Sequence, residues 1–273
     1  MRPLVLVLAL AVLVGCGASQ ATPQEPARPA ELSAELVRYR GDEALHRLQV
    51  KVTNGGPGAS LVDRIELDLP GFSGRAEAAP DARLEPGRRV DLPVVYGAAL
   101  CEGDAPSGVS SDSSMRLWRD GEAEPVTLVP ADPRGLVARL AAEECAVRAV
   151  TDAVPLSFAD TWTPVGSGSS LVVQGVLRVG PASGPATLVR VDGTTLFSVT
   201  TPPLAIDLAE AVDVPVTVSP QRCDPHAVAE SKRGYAFLVG ISLGGAEPVL
   251  VTVEVKEAER SVLLAGLLER CGL

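Results

Sequence analysis

The segment from Cys223 to Glu230 carries residue types that could bind a metal ion. His226 and Glu230 offer an imidazole nitrogen and a carboxylate four residues apart, a spacing that puts both on one face of a helix. A soft-metal site would also need Cys223 as a thiolate, and the cysteine pattern described below predicts that this sulfur is in a disulfide. The first half has no histidine near its corresponding cysteine, Cys101. We interpret His226 and Glu230 as a surface hydrogen-bonded pair, and we predict neither a metal nor another cofactor.

Residues 240–244 read GISLG and match the GxSxG pattern that presents the nucleophilic serine of many hydrolases. That chemistry needs a turn between a strand and a helix, and a histidine later in the chain. Here the next segment, residues 248–255, has the pattern of a strand, and no histidine follows Ser242. We therefore predict a β-hairpin turn with glycines where a positive φ is needed, and no catalytic role for Ser242.

Trp118 and Trp162 could stack on sugar rings if they were exposed. In a chain with 3% aromatic residues they are expected to fill the core, and Trp162, in a threonine-rich segment beside Pro164, is expected to be the more exposed of the two. The loop carboxylates are scattered and form no glycosidase-like pair; they are Asp42, Glu43, Glu102, Asp104 and Asp112. The sequence also has no phosphate loop, dinucleotide fingerprint or EF-hand spacing. We predict that the protein is not an enzyme.

The composition of the 273-residue chain restricts its class and its partners. Hydrophobic residues make up 46% of the sequence, which is ample for a packed core and excludes wholesale disorder. The formal net charge is −10, and we find no local basic patch in the sequence. Nucleic acid and bare anionic lipid are therefore poor partners.

The chain contains an internal repeat of roughly 120 residues. VDLPV at residues 90–94 precedes Cys101, and VDVPV at residues 212–216 precedes Cys223, at an offset of 122 residues. Two further landmarks recur in the same order: a short β-branched run before a Gly/Pro turn, at residues 50–52 and 176–179, and a leucine-rich segment before a cysteine, at residues 136–140 and 262–268. The order of these landmarks indicates two tandem copies of one domain.

The repeat also favours one disulfide pattern. Four cysteines follow Cys16, and in an exported chain they predict two disulfides with three possible connectivities. If each copy folds around its own core, pairing within copies is favoured, giving Cys101–Cys145 and Cys223–Cys271. No CxxC motif occurs, which argues against thioredoxin-like redox chemistry and a zinc ribbon.

The elements that carry these residues are mainly β-strands. Alternating and β-branched runs predict strands at residues 45–53, 60–69, 88–96, 115–118, 171–179, 186–191, 195–199, 212–218, 235–243 and 248–255. Apolar spacing predicts a helix from Asp132 or Pro133 toward Cys145, another over residues 259–270, and a short one over residues 224–232 with Asp224 as N-cap. We predict a mainly β fold of two tandem antiparallel β-sandwich domains, each ending in a short helix tied back by a disulfide. The pattern is similar to immunoglobulin-like or fibronectin-like modules of bacterial envelope proteins.

The N-terminus predicts export and anchoring. A short basic start precedes eleven apolar residues at 4–14, which fits a signal peptide and is too short to span a membrane. Residues 13–16, LVGC, resemble the bacterial lipobox, and the arginine-rich composition is typical of a high-GC bacterium such as an actinobacterium. The resemblance to bacterial lipoproteins implies that Cys16 is lipidated and becomes the mature N-terminus. Several acyl chains would hold the protein stably on the membrane.

These observations divide the chain into four parts. We predict a signal peptide over residues 1–15, a disordered Pro/Ala-rich spacer over 16–31, and β-sandwich domains over 32–147 and 148–273, joined by a short segment at 146–155. The predicted function is a membrane-anchored extracytoplasmic lipoprotein that acts as a non-enzymatic binding or assembly module for an envelope protein. The alternatives are a small-molecule or metal-binding lipoprotein that serves a transporter, and an envelope enzyme built on sandwich domains.

Overall fold

The computed structural model describes residues 31–231 and 233–273. The predicted signal peptide, Cys16 and almost all of the predicted spacer lie outside the described residues. Within them the protein is mainly β, with several antiparallel sheets and two disulfide bonds.

The first half begins after residue 31 and contains ten strands. They are β1 (Leu32–Val37), β2 (Arg47–Asn54), β3 (Ser60–Asp68), β4 (Ala76–Ala78), β5 (Ala82–Leu84), β6 (Arg89–Val95), β7 (Cys101–Glu102), β8 (Ala105–Pro106), β9 (Ser114–Arg119) and β10 (Val126–Leu128). The two main sheets have the orders β1-β2-β6 and β10-β9-β3-β4, with β5 also paired to β3 in the second, and β7 and β8 form a separate two-stranded sheet. The two sheets enclose one cluster of buried hydrophobic side chains, because alternate residues of each strand point inward.

The second half follows a long helix, α1 (Leu136–Ala153), and contains nine strands and two further helices. They are β11 (Leu156–Phe158), β12 (Thr163–Val165), β13 (Val172–Val179), β14 (Ala186–Asp192), β15 (Phe197–Thr200), β16 (Ile206–Asp207), β17 (Val212–Pro220), α2 (Pro225–Glu230), β18 (Ala236–Leu243), β19 (Val249–Glu254) and α3 (Glu257–Cys271). The sheets have the orders β11-β13-β17-β15, with β12 also on β13, and β16-β14-β18-β19. They enclose a second hydrophobic cluster.

The two halves share their strand pairing in detail. Lys51 on β2 lies opposite Asp91 on β6, and Arg178 on β13 lies opposite Asp213 on β17, so both repeats place a basic residue against the aspartate of the VDxPV motif. The register of the second sheet shifts between Val62 and Arg64 in β3, and it shifts at the equivalent place, after Leu188, in β14. Matching pairs and matching irregularities explain why the sequence landmarks recur in the same order.

Helix α1 is longer than the sequence predicted. It begins at Leu136, where the carboxylate of Asp132 accepts hydrogen bonds from the backbone N–H of Leu136 (2.6 Å) and Val137 (3.0 Å). It continues past Cys145 to Ala153, so residues 146–153 are helical and the predicted domain boundary at 147/148 falls inside α1. The first turns of α1 pack in the first hydrophobic cluster, and Val150 packs in the second.

Other predicted bounds also change. Residues 40–45 form a 3₁₀ helix, so the strand predicted from residue 45 begins at Arg47. Strand β1 and most of the two- and three-residue strands carry too short a pattern to be recognised in sequence. Trp162 fills the core as predicted, since it is 6% exposed and its ring covers Gly175, where an added β-carbon would lie 2.6 Å from a ring atom. The prediction that it is the more exposed of the two tryptophans is wrong, because Trp118 is only half-buried.

Candidate functional site

A cleft of about 630 Å³ opens where the two halves meet, beside α1. One face of the helix lines it, since Leu140, Glu144 and Arg148 follow each other at four-residue spacing. The 3₁₀ helix contributes Glu43 from the first half, and β19 contributes Thr252 from the second. Apolar and charged side chains therefore both line the cleft, and its size is in the range of ligand-binding pockets.

A histidine, a tyrosine and a glutamate meet at one wall of this cleft. His46 Nε2 lies 3.4 Å from Glu144 Oε1, and the imidazole stacks on Tyr96 with ring centroids 4.9 Å apart. His46 has a φ of 49°, the left-handed conformation that ends the 3₁₀ helix and turns the chain into β2. This turn places the imidazole over α1.

Two α1 side chains hold the segment before Cys101 against the helix. Glu144 Oε2 accepts a hydrogen bond from the backbone N–H of Ala99 (3.1 Å), and Arg148 Nη2 donates to the carbonyl oxygen of Ala99 (2.6 Å). The disulfide between Cys101 and Cys145 closes the same contact, with Cα atoms 5.6 Å apart. Hydrogen bonds and a covalent bond therefore fix this wall of the cleft.

The 3₁₀ helix owes its position to a buried carboxylate. Asp42 is 1% exposed and accepts hydrogen bonds from Arg47 Nε (2.7 Å) and Gln49 Nε2 (2.9 Å). The backbone N–H of Tyr39 donates to its other oxygen at 3.1 Å. Burial by itself would raise the pKa of Asp42, but these donors outweigh it and the pKa is lowered. From the sequence, Asp42 was identified only as one of several scattered loop carboxylates. In the structure its hydrogen bonds hold the 3₁₀ helix in place.

Burial raises the pKa of Tyr96 to about 12, from an ordinary value of 10. Between these values the unfolded chain loses the Tyr96 proton before the folded chain does, so ionisation favours unfolding. We expect the free energy of unfolding to fall more steeply from pH 9 to pH 11 in the native chain than in Tyr96→Phe. Urea unfolding at pH 9 and pH 11 measures the two slopes, and equal slopes would contradict the buried hydroxyl.

A second cavity, of about 620 Å³, lies beside α2 and is also lined from both halves. Glu43 lines both cavities, and its carboxylate lies 3.6 Å from Arg233 Nη1 in an ion pair that joins the halves. His226 and Glu230 are exposed and lie 3.3 Å apart, the surface pair that the sequence predicted. We call the two spaces the α1 cleft and the α2 cavity.

The structure pairs the four cysteines as the repeat predicted. Cys101 is bonded to Cys145, and Cys223 is bonded to Cys271 at the end of α3, with Cα atoms 5.2 Å apart in the second bond. The Cys223 sulfur is therefore not a thiolate. The lipidation site predicted at Cys16 lies outside the described residues.

The remaining sequence candidates take structural positions. Ser242 is 7% exposed on β18, its hydroxyl donates to the Ala246 carbonyl oxygen (2.6 Å), and a hairpin into β19 follows, which confirms the predicted turn. Trp118 is half-buried, and the guanidinium carbon of Arg64 lies 3.8 Å from the centroid of its ring. That arginine occupies a ring face that a sugar would need.

His46 is the residue that sequence reasoning missed. No role was predicted for it, because its partners come from the residue after β6 and from α1, and it lies in a left-handed turn that no periodic pattern predicts. Among residues 31–231 and 233–273, no three His, Cys, Asp or Glu side chains are grouped to hold a metal ion. In the same residues no helix is both long and apolar enough to cross a membrane.

No protein-family model matches the chain, and the search of curated proteins found no match. Among solved structures the chain is similar to the YadV chaperone, at 13% identity and a TM-score of 0.21, over 83% of this chain and 100% of that one. A protein of unknown function from Porphyromonas gingivalis W83 is similar at 14% identity and a TM-score of 0.21, over 83% and 100% of the two chains. The BSP domain of a biofilm-associated protein is similar at 9% identity and a TM-score of 0.23, over 84% and 59%. Structural similarity at these low TM-scores supports no conclusion about function.

Proposed function

We propose that the protein is a lipid-anchored protein of the extracytoplasmic face of a bacterial cell membrane, where it acts as a non-enzymatic binding or assembly module for another envelope protein. The observation that carries the binding role is the α1 cleft, an open space of about 630 Å³ lined by both apolar and charged side chains. The lipobox resemblance at residues 13–16 supports the anchor on Cys16.

The two disulfides support the location. Disulfides persist in oxidising compartments outside the cytoplasm and are rare inside it. Cys101 begins β7 and is bonded to α1, and Cys223 follows β17 and is bonded to the end of α3, so each bond ties a long helix to a segment of the same half. This repeated arrangement also supports our proposal that the halves are two tandem immunoglobulin-like domains, each ending in a disulfide-tied helix.

The direction of β2 separates the start of the described chain from the α1 cleft. Residue 31 leaves the fold beside Gly55, whose backbone N–H donates to the Glu31 carbonyl oxygen (2.8 Å) at the end of β2. His46 precedes the opposite end of β2, and eight residues of strand span about 26 Å. Residues 16–30 would reach at most about 50 Å when fully extended. An anchor on Cys16 would therefore leave the cleft on the side away from its attachment, where a protein partner can enter.

The anchor is tested by Cys16→Ser, with Ser19→Ala as the matched control in the same segment. We expect that the native chain and the control are found in the membrane fraction of the producing cells. The Cys16→Ser chain should be released to the soluble extracytoplasmic fraction. The intact mass of the native chain should show cleavage before Cys16 and added diacylglycerol. Persistent membrane association of the Cys16→Ser chain, or an unmodified Cys16, would defeat the anchoring proposal.

A further inference from the structure

We propose that the α2 cavity is a binding site for an oxyanion, a carboxylate or a phosphate group, held by Arg40 and Arg222. Arg40 comes from the 3₁₀ helix of the first half, and Arg222 precedes Cys223 in the second half. The site needs both halves, so it does not follow from the properties of either repeat alone.

The acids of the cavity already have partners. Glu43 pairs with Arg233 (3.6 Å), and Glu230 pairs with His226 (3.3 Å). Asp224 caps α2, with its Oδ1 accepting from the backbone N–H of His226 at 3.0 Å. Within residues 31–231 and 233–273, none of these three carboxylates is paired with Arg40 or Arg222.

Two guanidinium groups that line the same cavity have no side-chain partner of this kind. Within residues 31–231 and 233–273, neither Arg40 nor Arg222 makes a side-chain hydrogen bond or an ion pair, although both line the cavity. Each guanidinium presents a planar fork of N–H donors that matches the two oxygens of a carboxylate or a phosphate. Thr195 and Ser231, whose hydroxyl oxygens lie 2.7 Å apart, add hydroxyl groups to the wall. An oxyanion is the ligand that satisfies this set of donors.

The histidines supply a reporter and an internal control. The chain has two, and His226 lines the α2 cavity whereas His46 lines the α1 cleft. An anion bound between Arg40 and Arg222 changes the field at His226 and leaves His46 in its stacked position on Tyr96. The imidazole C–H resonances in a proton NMR spectrum therefore distinguish binding at this cavity from general salt effects.

The test titrates the full chain, carrying Cys16→Ser, with inorganic phosphate and separately with succinate at constant pH and ionic strength. His226→Gln assigns the two resonances. We expect a saturable shift of the His226 resonance and none of His46, with affinity at least tenfold weaker in Arg222→Gln and in Arg40→Gln. Arg190→Gln, an exposed arginine paired with Asp192 elsewhere in the second half, is the matched control and should bind like the parent.

Saturation by phosphate alone, by succinate alone or by both would support the site and define its anion. A shift that does not saturate, that moves both histidines equally, or that persists unchanged in both arginine variants would overturn it. The assay uses a chain without the anchor. Its failure would therefore leave the anchoring test and the α1 cleft untouched.

Discussion

Replacing Cys101 and Cys145 together by alanine is expected to lower the free energy of unfolding by about 4 kcal/mol. The bond closes a loop of 44 residues, and cross-linking a loop of this length restricts the unfolded chain by about that amount in the chain-entropy model. Cys145 is fully buried in the first hydrophobic cluster, so alanine also removes part of its packing. Urea unfolding of the oxidised native chain and of the double variant measures the difference.

The second disulfide is the matched comparison. Cys223 and Cys271 close a loop of 48 residues, which the same model values at about 4 kcal/mol, but Cys271 is only partly buried. We expect a similar or slightly smaller loss from that pair. A loss below about 1 kcal/mol from the Cys101/Cys145 variant would contradict the view that this bond tightens the first half and fixes the α1 cleft.

Breaking α1 at Ala146 is the second change with a large expected effect. The helix packs in both hydrophobic clusters, through Cys145 in the first and Val150 in the second, so it connects the two cores directly. Proline at position 146 removes a helical hydrogen bond and its ring clashes with the preceding turn, at about 3 kcal/mol. We expect Ala146→Pro to lower stability by that amount and to split one cooperative unfolding transition into two, because the halves lose their coupling.

Ala146→Gly is the control for this prediction. Glycine keeps the backbone N–H and costs about 1 kcal/mol in a helix, so the transition should shift slightly and stay single. Calorimetric unfolding of the three chains separates the cases. One undivided transition in Ala146→Pro, at the melting temperature of the glycine variant, would show that α1 does not couple the two halves.

The sequence predicted the parts of the fold that local patterns determine. Alternating apolar residues mark β2, β3, β6, β13, β17 and β18, since a half-buried strand needs every second side chain inside. The repeat also predicted which cysteines pair, because residues at equivalent places in two copies of a fold meet equivalent partners. The N-cap at Asp224 follows from local chemistry in the same way, and the structure confirms it.

What the sequence did not reveal depends on contacts between distant segments. Trp162 stands in a polar segment, and only its meeting with Gly175 across the sheet explains its burial. His46 acquires its neighbours through a left-handed turn and through α1, a hundred residues later in the chain. Helix α1 packs against the first core up to Cys145 and against the second core at Val150, and its last two turns were predicted to be a linker.

We propose that the α1 cleft binds another envelope protein while the chain is anchored. A photo-crosslinking residue at Thr151, an exposed position that lines the cleft, tests it in living cells of the producing organism. Thr127, exposed on β10 of the first half and not among the residues that line the cleft, is the matched control. We predict one dominant protein adduct from position 151, absent from position 127 and lost when Cys16→Ser removes the anchor. No protein adduct from position 151, or the same adducts from both positions, would contradict the account.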